Sequence, residues 1–299
     1  MTSHPAHRDS IGLENATVIS HQAYAADQFV LRVQAPECAA TALPGSFAHL
    51  DTGEPGRLRR PISIMRCSPD EGWVEFLYKV LGEGTRLLSQ LKVGDTISLL
   101  GPIGQPFTLS DRRPRPLLIG GGVGVPPMVF VADAIRRQHP DFQALAILGS
   151  EVPFPFEVGR SDIQVTGIST ETSACMPLLE DWGIPSRLAS LQGYSGCHQG
   201  YVTDLARLWL EAISAEERSQ VEVYACGPHP MLEAVARLAA EFGLPCQVSL
   251  EEYMACAVGG CAGCTVEVQT PEGPAMKRVC VDGPVFDARQ VFPFGAQSI

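Results

Sequence analysis

Short apolar runs separated by turn residues dominate the first hundred positions. Thr17–Ile19, Phe29–Val33 and Ile62–Met65 are β-branched and apolar, Trp73–Val80 (WVEFLYKV) alternates, and Thr96–Leu100 follows a Gly94-Asp95 turn. Runs of this kind predict strands. Glycine and proline punctuate them at Pro44-Gly45, Pro55-Gly56 and Gly101-Pro102. Several short strands with regular turns predict a barrel or sandwich. Gly84–Leu91 (GTRLLSQL) interrupts the pattern as a short helix.

The period then changes. Pro116–Ile119 is a short apolar run that leads into GGGVGVPP, and a helical pattern follows from Met128 to Arg137. Ala144–Leu148, Ile163–Ile168 and Val221–Tyr224 are strand candidates, and Asp204–Ala212 reads as a helix. Met231–Phe242 is an amphipathic helix ended by Gly243. This alternation predicts an α/β layer with a parallel sheet. Glu171–Gly200 reads as loop. The expected domains are a β-barrel over 12–110, an α/β domain over 111–247 and a small cysteine-bearing domain over 248–299.

Composition narrows the classes. A chain of 299 residues has room for two or three domains. At 45% hydrophobic and 18% charged it is an ordinary globular protein. The net charge of −11 argues against nucleic acid and anionic membrane as partners. MTSHPAHRDS has no apolar core, so no signal peptide is expected. Pro116–Ala132 carries no charge, but it is short for a span and is broken by Gly120–Gly124 and Pro126-Pro127. A reducing, cytoplasmic setting suits free thiols.

The strongest chemical signal is near the C-terminus. Cys256, Cys261, Cys264 and Cys280 read C-x4-C-x2-C and then a distant C, the plant-type ligand spacing of a [2Fe–2S] cluster. Gly259, Gly260 and Gly263 lie between the ligands, where the backbone must curl closely and aim N–H groups at sulfur. Zinc is the competing reading, but it usually takes two C-x2-C pairs or nearby histidines. The last histidine is His229, well upstream. Ten cysteines are too few for a disulfide-stapled scaffold of this size.

Weaker motifs precede it. Arg60-Pro61-Ile62-Ser63 opens a strand; its guanidinium suits a phosphate, although such residues also begin ordinary surface strands. Gly82-Glu83-Gly84-Thr85 leads into a helix, either as an anion site or as a plain turn with a threonine cap. Gly120, Gly121, Gly122 and Gly124 follow a strand and precede a helix, as in a dinucleotide phosphate loop. Val125 stands where G-x-G-x-x-G has its third glycine, so this is not the common fingerprint. Cys226-Gly227-Pro228 ends a strand, where ligands of open sheets bind; a buried small residue is the alternative for Cys226.

Taken in order, these motifs resemble the ferredoxin-reductase superfamily, and within it the electron-transfer subunits of dihydroorotate dehydrogenase B. RRPISI, LYKVLGEGT, GGGVGVPPM, ACGPHPML and SLEEYMACAVGGCAGC…VCVDGPVF carry the resemblance, from near Glu14 to near Val291. It implies a ferredoxin-reductase-like FAD barrel, a nucleotide-binding parallel-sheet domain and a [2Fe–2S] domain. FAD would meet Arg60, Pro61, Ile62 and Ser63, with Leu77, Tyr78 and Lys79 along ring and ribose, and Gly84 and Thr85 at the pyrophosphate. NAD(H) would lie at Gly120–Gly124 and Cys226–Pro228. The partner implied is an FMN-containing catalytic subunit that oxidises dihydroorotate in pyrimidine biosynthesis, in a heterotetramer. Consistent with an electron carrier, no Ser/His/Asp or paired-carboxylate set is evident. Glu151 stands where relatives often carry a basic residue, which favours NAD over NADP. Ser190–Gly200 and the stretch around Glu171–Ser186 depart from the family pattern. Two other readings remain open. One is a diaphorase-type subunit of a hydrogenase, sulfhydrogenase or ferredoxin–NADP transhydrogenase. The other is a zinc-stabilised interaction protein.

Overall fold

The computed structural model describes residues 11–53 and 57–293. The expected turn at Pro55-Gly56 and the N-terminal ten residues lie outside these. Six antiparallel strands close into a barrel: β1 (Gly12–Tyr24), β2 (Gln28–Gln34), β3 (Phe47–Leu50), β4 (Arg60–Ser68), β5 (Trp73–Lys79) and β6 (Thr96–Ile103). Their order around the barrel is β1-β2-β5-β4-β3-β6. The period-two pattern explains the closure. In β5, Val74, Phe76 and Tyr78 enter the barrel core, whereas Leu77 packs on the opposite side against the α/β layer. Glu75 shares that outer face and is buried, held by Arg32 at 2.7 Å and Arg66 at 2.7 Å. Helix α1 (Pro36–Thr41) and α2 (Glu83–Leu88) link the strands.

A seven-stranded sheet follows. Its strands are β7 (Arg115–Gly121), β8 (Leu145–Gly149), β11 (Ser186–Ser190), β12 (His198–Gln199), β13 (Val221–Cys226), β14 (Cys246–Ser249) and β17 (Val285–Asp287). The order is β12-β11-β8-β7-β13-β14-β17; every pairing is parallel except the last. Two-residue strands β9 (Gly159–Arg160) and β10 (Ala174–Cys175) pair beside the sheet, and β15 (Thr265–Thr270) pairs with β16 (Gly273–Arg278) as a hairpin. Helix α3 (Val125–Gln138) covers one face of the sheet with Leu118, Ala146 and Leu148. The other face packs Leu117, Ile119, Leu145 and Ile147 under α5 (Val202–Ala212) and α7 (His229–Glu241). Short helices α4 (Pro177–Asp181), α6 (Ala215–Ser219) and α8 (Ala288–Val291) complete the chain. Adjacent residues of one strand thus serve opposite cores, which accounts for the unbroken apolar runs.

Two expectations need correction. Ile163–Ile168 is not a strand but a turn segment. Gly167 has φ +76° there, and a Cβ on it would lie 2.3 Å from that of Ala212, so the chain bends against α5 instead of extending. Glu171–Gly200 is not all loop, because it supplies β10, α4, β11 and β12. Strand β11 reads SRLAS and shows little apolar signal. Its Arg187 is buried, faces Glu180 at 3.8 Å and donates to the Ser186 and Ile163 carbonyls.

The layers are tied together. Gln28 Nε2 donates to the Pro153 carbonyl at 2.7 Å, and Arg137 reaches the Cys67 carbonyl at 3.3 Å. Strand β17, from the cysteine-bearing region, pairs antiparallel with β14 and so joins the α/β sheet. Among the described residues, no helix is long and apolar enough to cross a membrane.

Candidate functional site

A cavity of about 470 Å³ opens where barrel, sheet and C-terminal region meet. Arg60, Pro61, Ile62 and Ser63 of β4 line it, with Leu77, Tyr78 and Lys79 of β5 and with Thr85. These residues come from adjacent antiparallel strands, so their convergence follows from the barrel pairing. Tyr78 turns its ring into the barrel core, and its hydroxyl lies 2.9 Å from His21 Nε2. Gly84 is not part of the lining; it is buried behind Arg60. The Thr85 hydroxyl accepts the Leu81 and Gly82 N–H groups at 3.0 and 3.3 Å and donates to the Gly82 carbonyl at 3.1 Å. It therefore caps the helix start while also lining the cavity.

The remaining walls were not legible as such in the sequence. Val123 enters from the glycine-rich loop, Ser249–Met254 from the stretch leading to the first cluster cysteine, and Phe47, Leu81 and Pro284 complete them. SLEEYM stood out as a family flank but gave no sign that it faces the barrel. Glu251 lines this cleft, and desolvation by the protein around it pushes its carboxyl above the usual range. Cys226 beneath it is fully buried. Burial raises its thiol first, the Glu251 charge adds to this, and the Ser249 hydroxyl opposes it. The cysteine is thus an inert, protonated thiol at the carboxyl end of β13.

The two nucleotide-type motifs touch. A Cβ on Gly124 would lie 2.2 Å from the Cys226 carbonyl oxygen and 2.5 Å from the Gly227 nitrogen. Gly121 and Gly227 make room for Met231, whose Sδ would be 2.4 Å and Cε 2.5 Å from their respective Cβ positions. Gly120 packs on Val125 and Met128. Only Gly122 is open, exposed at φ +56° with nothing within 4 Å. Pro228 precedes the first turn of α7. The open face thus lies at the carboxyl ends of β7 and β13, where open parallel sheets receive ligands. Further along that edge, Glu151 accepts the Leu191 N–H at 3.3 Å and the Gln192 side-chain amide at 3.2 Å.

The four cysteines come together as two pairs. Cys256 and Cys261 are linked by side chain and by the Cys261 N–H, 3.4 Å from the Cys256 sulfur. Cys264 and Cys280 are linked likewise, the Cys280 N–H lying 3.4 Å from the Cys264 sulfur. Gly263 N–H points at Cys261 at 3.4 Å. Burial raises the Cys256 thiol, but backbone N–H groups of residues 258, 260 and 261 outweigh it and hold it near 7. The loop reaches this shape through left-handed residues, Ala257 at φ 56°, Gly259 at 77° and Ala262 at 55°. Arg278 braces it, donating to the Gly259 carbonyl at 3.0 Å and to Asp282 at 3.2 Å. Among the described residues, no three ligating side chains converge on a single ion. Two thiol pairs match two irons, each taking two thiolates.

The barrel, the parallel sheet beside it and the paired thiols define a flavin-linked iron–sulfur reductase of the ferredoxin-reductase type. Residues 10–107 match the oxidoreductase FAD-binding domain, and residues 251–292 match the iron–sulfur cluster binding domain of dihydroorotate dehydrogenase B. The electron transfer subunit of dihydroorotate dehydrogenase B (NAD(+)) from Desulforamulus reducens is 31% identical, over 93% of this chain and 97% of its own length. That of Geobacillus thermodenitrificans is 32% identical, over 94% and 99%. Among solved structures, an NADH-dependent reduced ferredoxin-NADP oxidoreductase superposes with a TM-score of 0.74 at 26% identity, over 92% of this chain and 89% of that one. A ferredoxin reductase of carbazole 1,9a-dioxygenase shares the fold, with a TM-score of 0.58 over 79% of this chain and 67% of that one. The chain belongs to the family of dihydroorotate dehydrogenase B electron transfer subunits.

Proposed function

We propose that this chain takes electrons from a dihydroorotate-oxidising, FMN-containing catalytic subunit and delivers them to NAD+, within a cytoplasmic heterotetramer serving pyrimidine biosynthesis. The bound groups supply the redox chemistry, with electrons entering at the [2Fe–2S] cluster and leaving by way of FAD as hydride to NAD+. One observation carries the reading. A single cavity is walled by the barrel motif, by Val123 of the nucleotide loop and by Ser249–Met254, which runs two residues on into Cys256. The barrel motif, the nucleotide loop and the stretch leading to the cluster thus border one cavity.

The chain's own residues position and insulate. Arg60 has no carboxylate partner among the described residues, so its charge is free for a phosphate. Ile62 and Leu77 give a flat ring an apolar bed, and Ser63 adds a hydroxyl. Gly122 leaves the backbone bare for a nicotinamide nucleotide beside buried Cys226. Glu151 repels a 2′-phosphate and favours NAD. Cys256, Cys261, Cys264 and Cys280 hold the cluster, and the uncharged stretch Ala255–Val266, with Cys261 exposed, leaves it open to a docking partner. The other six cysteines are free thiols, which fits a reducing compartment.

The test is anaerobic dihydroorotate-dependent NAD+ reduction by the purified chain with its partner. Activity only in the joint presence of both subunits is expected. Recovery from native cells of a hydrogenase subunit in place of an FMN protein would sink the reading and favour the diaphorase alternative.

A further inference from the structure

Gly84 sits in the first turn of α2 with ordinary helical backbone, where glycine is a poorer choice than alanine. No left-handed conformation demands it. The reason lies on β4. A Cβ at Gly84 would be 2.0 Å from Arg60 Nε and 2.6 Å from both Cζ and Nη2. The Arg60 guanidinium lies across the helix backbone, in the space a side chain would fill.

The neighbouring charges complete this arrangement. Glu83, one residue away, receives Arg86 Nε at 3.0 Å and lies 3.8 Å from Arg57. Arg59 turns to Asp51 at 3.4 Å and to Ser98. Arg60 itself makes one long bond, from Nη1 to the Arg59 carbonyl at 3.3 Å. The nearby acids are thus engaged by other arginines, while Arg60 keeps its donors for the cavity. A guanidinium without a carboxylate matches a phosphate, and the space left at Gly84 lets it lie against the α2 backbone at the cavity wall.

We propose that Gly84 is a positioning residue: it seats the Arg60 guanidinium at the cavity wall, unneutralised, for the phosphates of a flavin dinucleotide. This rests on the FAD reading of the cavity. The atoms a methyl would displace are the far end of a flexible side chain, so Gly84→Ala leaves the fold intact and moves only the charge.

The experiment titrates flavin-free, cluster-loaded protein with FAD and, separately, with riboflavin, which lacks phosphate. Gly84→Ala should weaken FAD about tenfold or more, leave riboflavin affinity unchanged and leave the melting temperature no lower than wild type. Arg60→Ala should do the same, and the double variant should be no weaker than Arg60→Ala alone. Wild-type FAD affinity in Gly84→Ala, equal loss for riboflavin, or a loss that adds in full to that of Arg60→Ala would each overturn the proposal. If wild-type protein bound riboflavin and FAD equally or neither, the flavin reading itself would fall, a result distinct from the others.

Discussion

Gly124 and Gly122 stand two residues apart in one loop, and the structure predicts opposite consequences for giving each a methyl group. At Gly124 the new Cβ would sit 2.2 Å from the Cys226 oxygen, 2.3 Å from its carbonyl carbon and 2.5 Å from the Gly227 nitrogen. Ordinary contact begins near 3.4 Å, so the two loops would have to part by about 1.2 Å. All three atoms are backbone, and they end a fully buried strand that pairs with β7. Nothing there can swing aside. Overpacking of this kind costs about 3 kcal/mol, which lowers the melting temperature by about 6–12 °C in a domain of 150–250 residues. Gly122→Ala meets nothing within 4 Å and suffers only the left-handed φ of +56°. That costs about 1 kcal/mol, or about 2–4 °C. Thermal denaturation of the two variants, with FAD and iron content measured beside it, makes the comparison. Gly124→Ala should also slow NADH-driven ferricyanide reduction while retaining cluster and flavin, because only the nucleotide loop is displaced. A melting temperature for Gly124→Ala equal to or above that of Gly122→Ala would refute the packing argument.

Cys264→Ser should lose iron and acid-labile sulfide while FAD absorbance persists, since the thiol pair and the barrel wall are separate; full iron content would count against the ligand assignment. His49 is buried on β3, and its imidazole is held down to about 4, first by burial and then by the Arg59 charge. Because the folded value lies below the ordinary 6.5, the unfolded chain binds the extra proton; stability is complete above about pH 6.5 and falls toward pH 4. The loss reaches about 3 kcal/mol across that window, and His49→Phe should flatten the slope in pH-dependent melting; an unchanged slope would assign it to other groups. Glu151→Arg should raise the NADPH-to-NADH ratio of kcat/KM by about tenfold, as a guanidinium replaces a carboxylate opposite a 2′-phosphate. An unaltered ratio would place the adenosine elsewhere.

Much of the fold was legible because its signals are local. WVEFLYKV, PLLIGGG and MLEAVARLAAEF each carry a period that one element satisfies alone. Where the signal depended on partners, it vanished. SRLAS reads as loop because Arg187 looks solvated; only the Glu180 carboxylate and the carbonyls around it make a buried strand of it. Ile163–Ile168 shows the reverse, since apolar residues there pack as a turn against α5 around Gly167. The site followed the same rule. The β4 and β5 residues that the resemblance implied lie on two paired strands and line the cavity, whereas Val123 and Ser249–Met254 reach it only once three parts of the chain are folded together.

The sequence by itself determined the ligand chemistry and the family, because thiol spacing and glycine-rich loops are short-range properties written in consecutive residues. Tertiary structure alone decided which glycine has which purpose. Gly84 yields its space to Arg60, Gly124 to the Cys226 backbone, and Gly122 to no protein atom at all. In sequence the three are identical, since an absent side chain takes its meaning only from what approaches it across the fold.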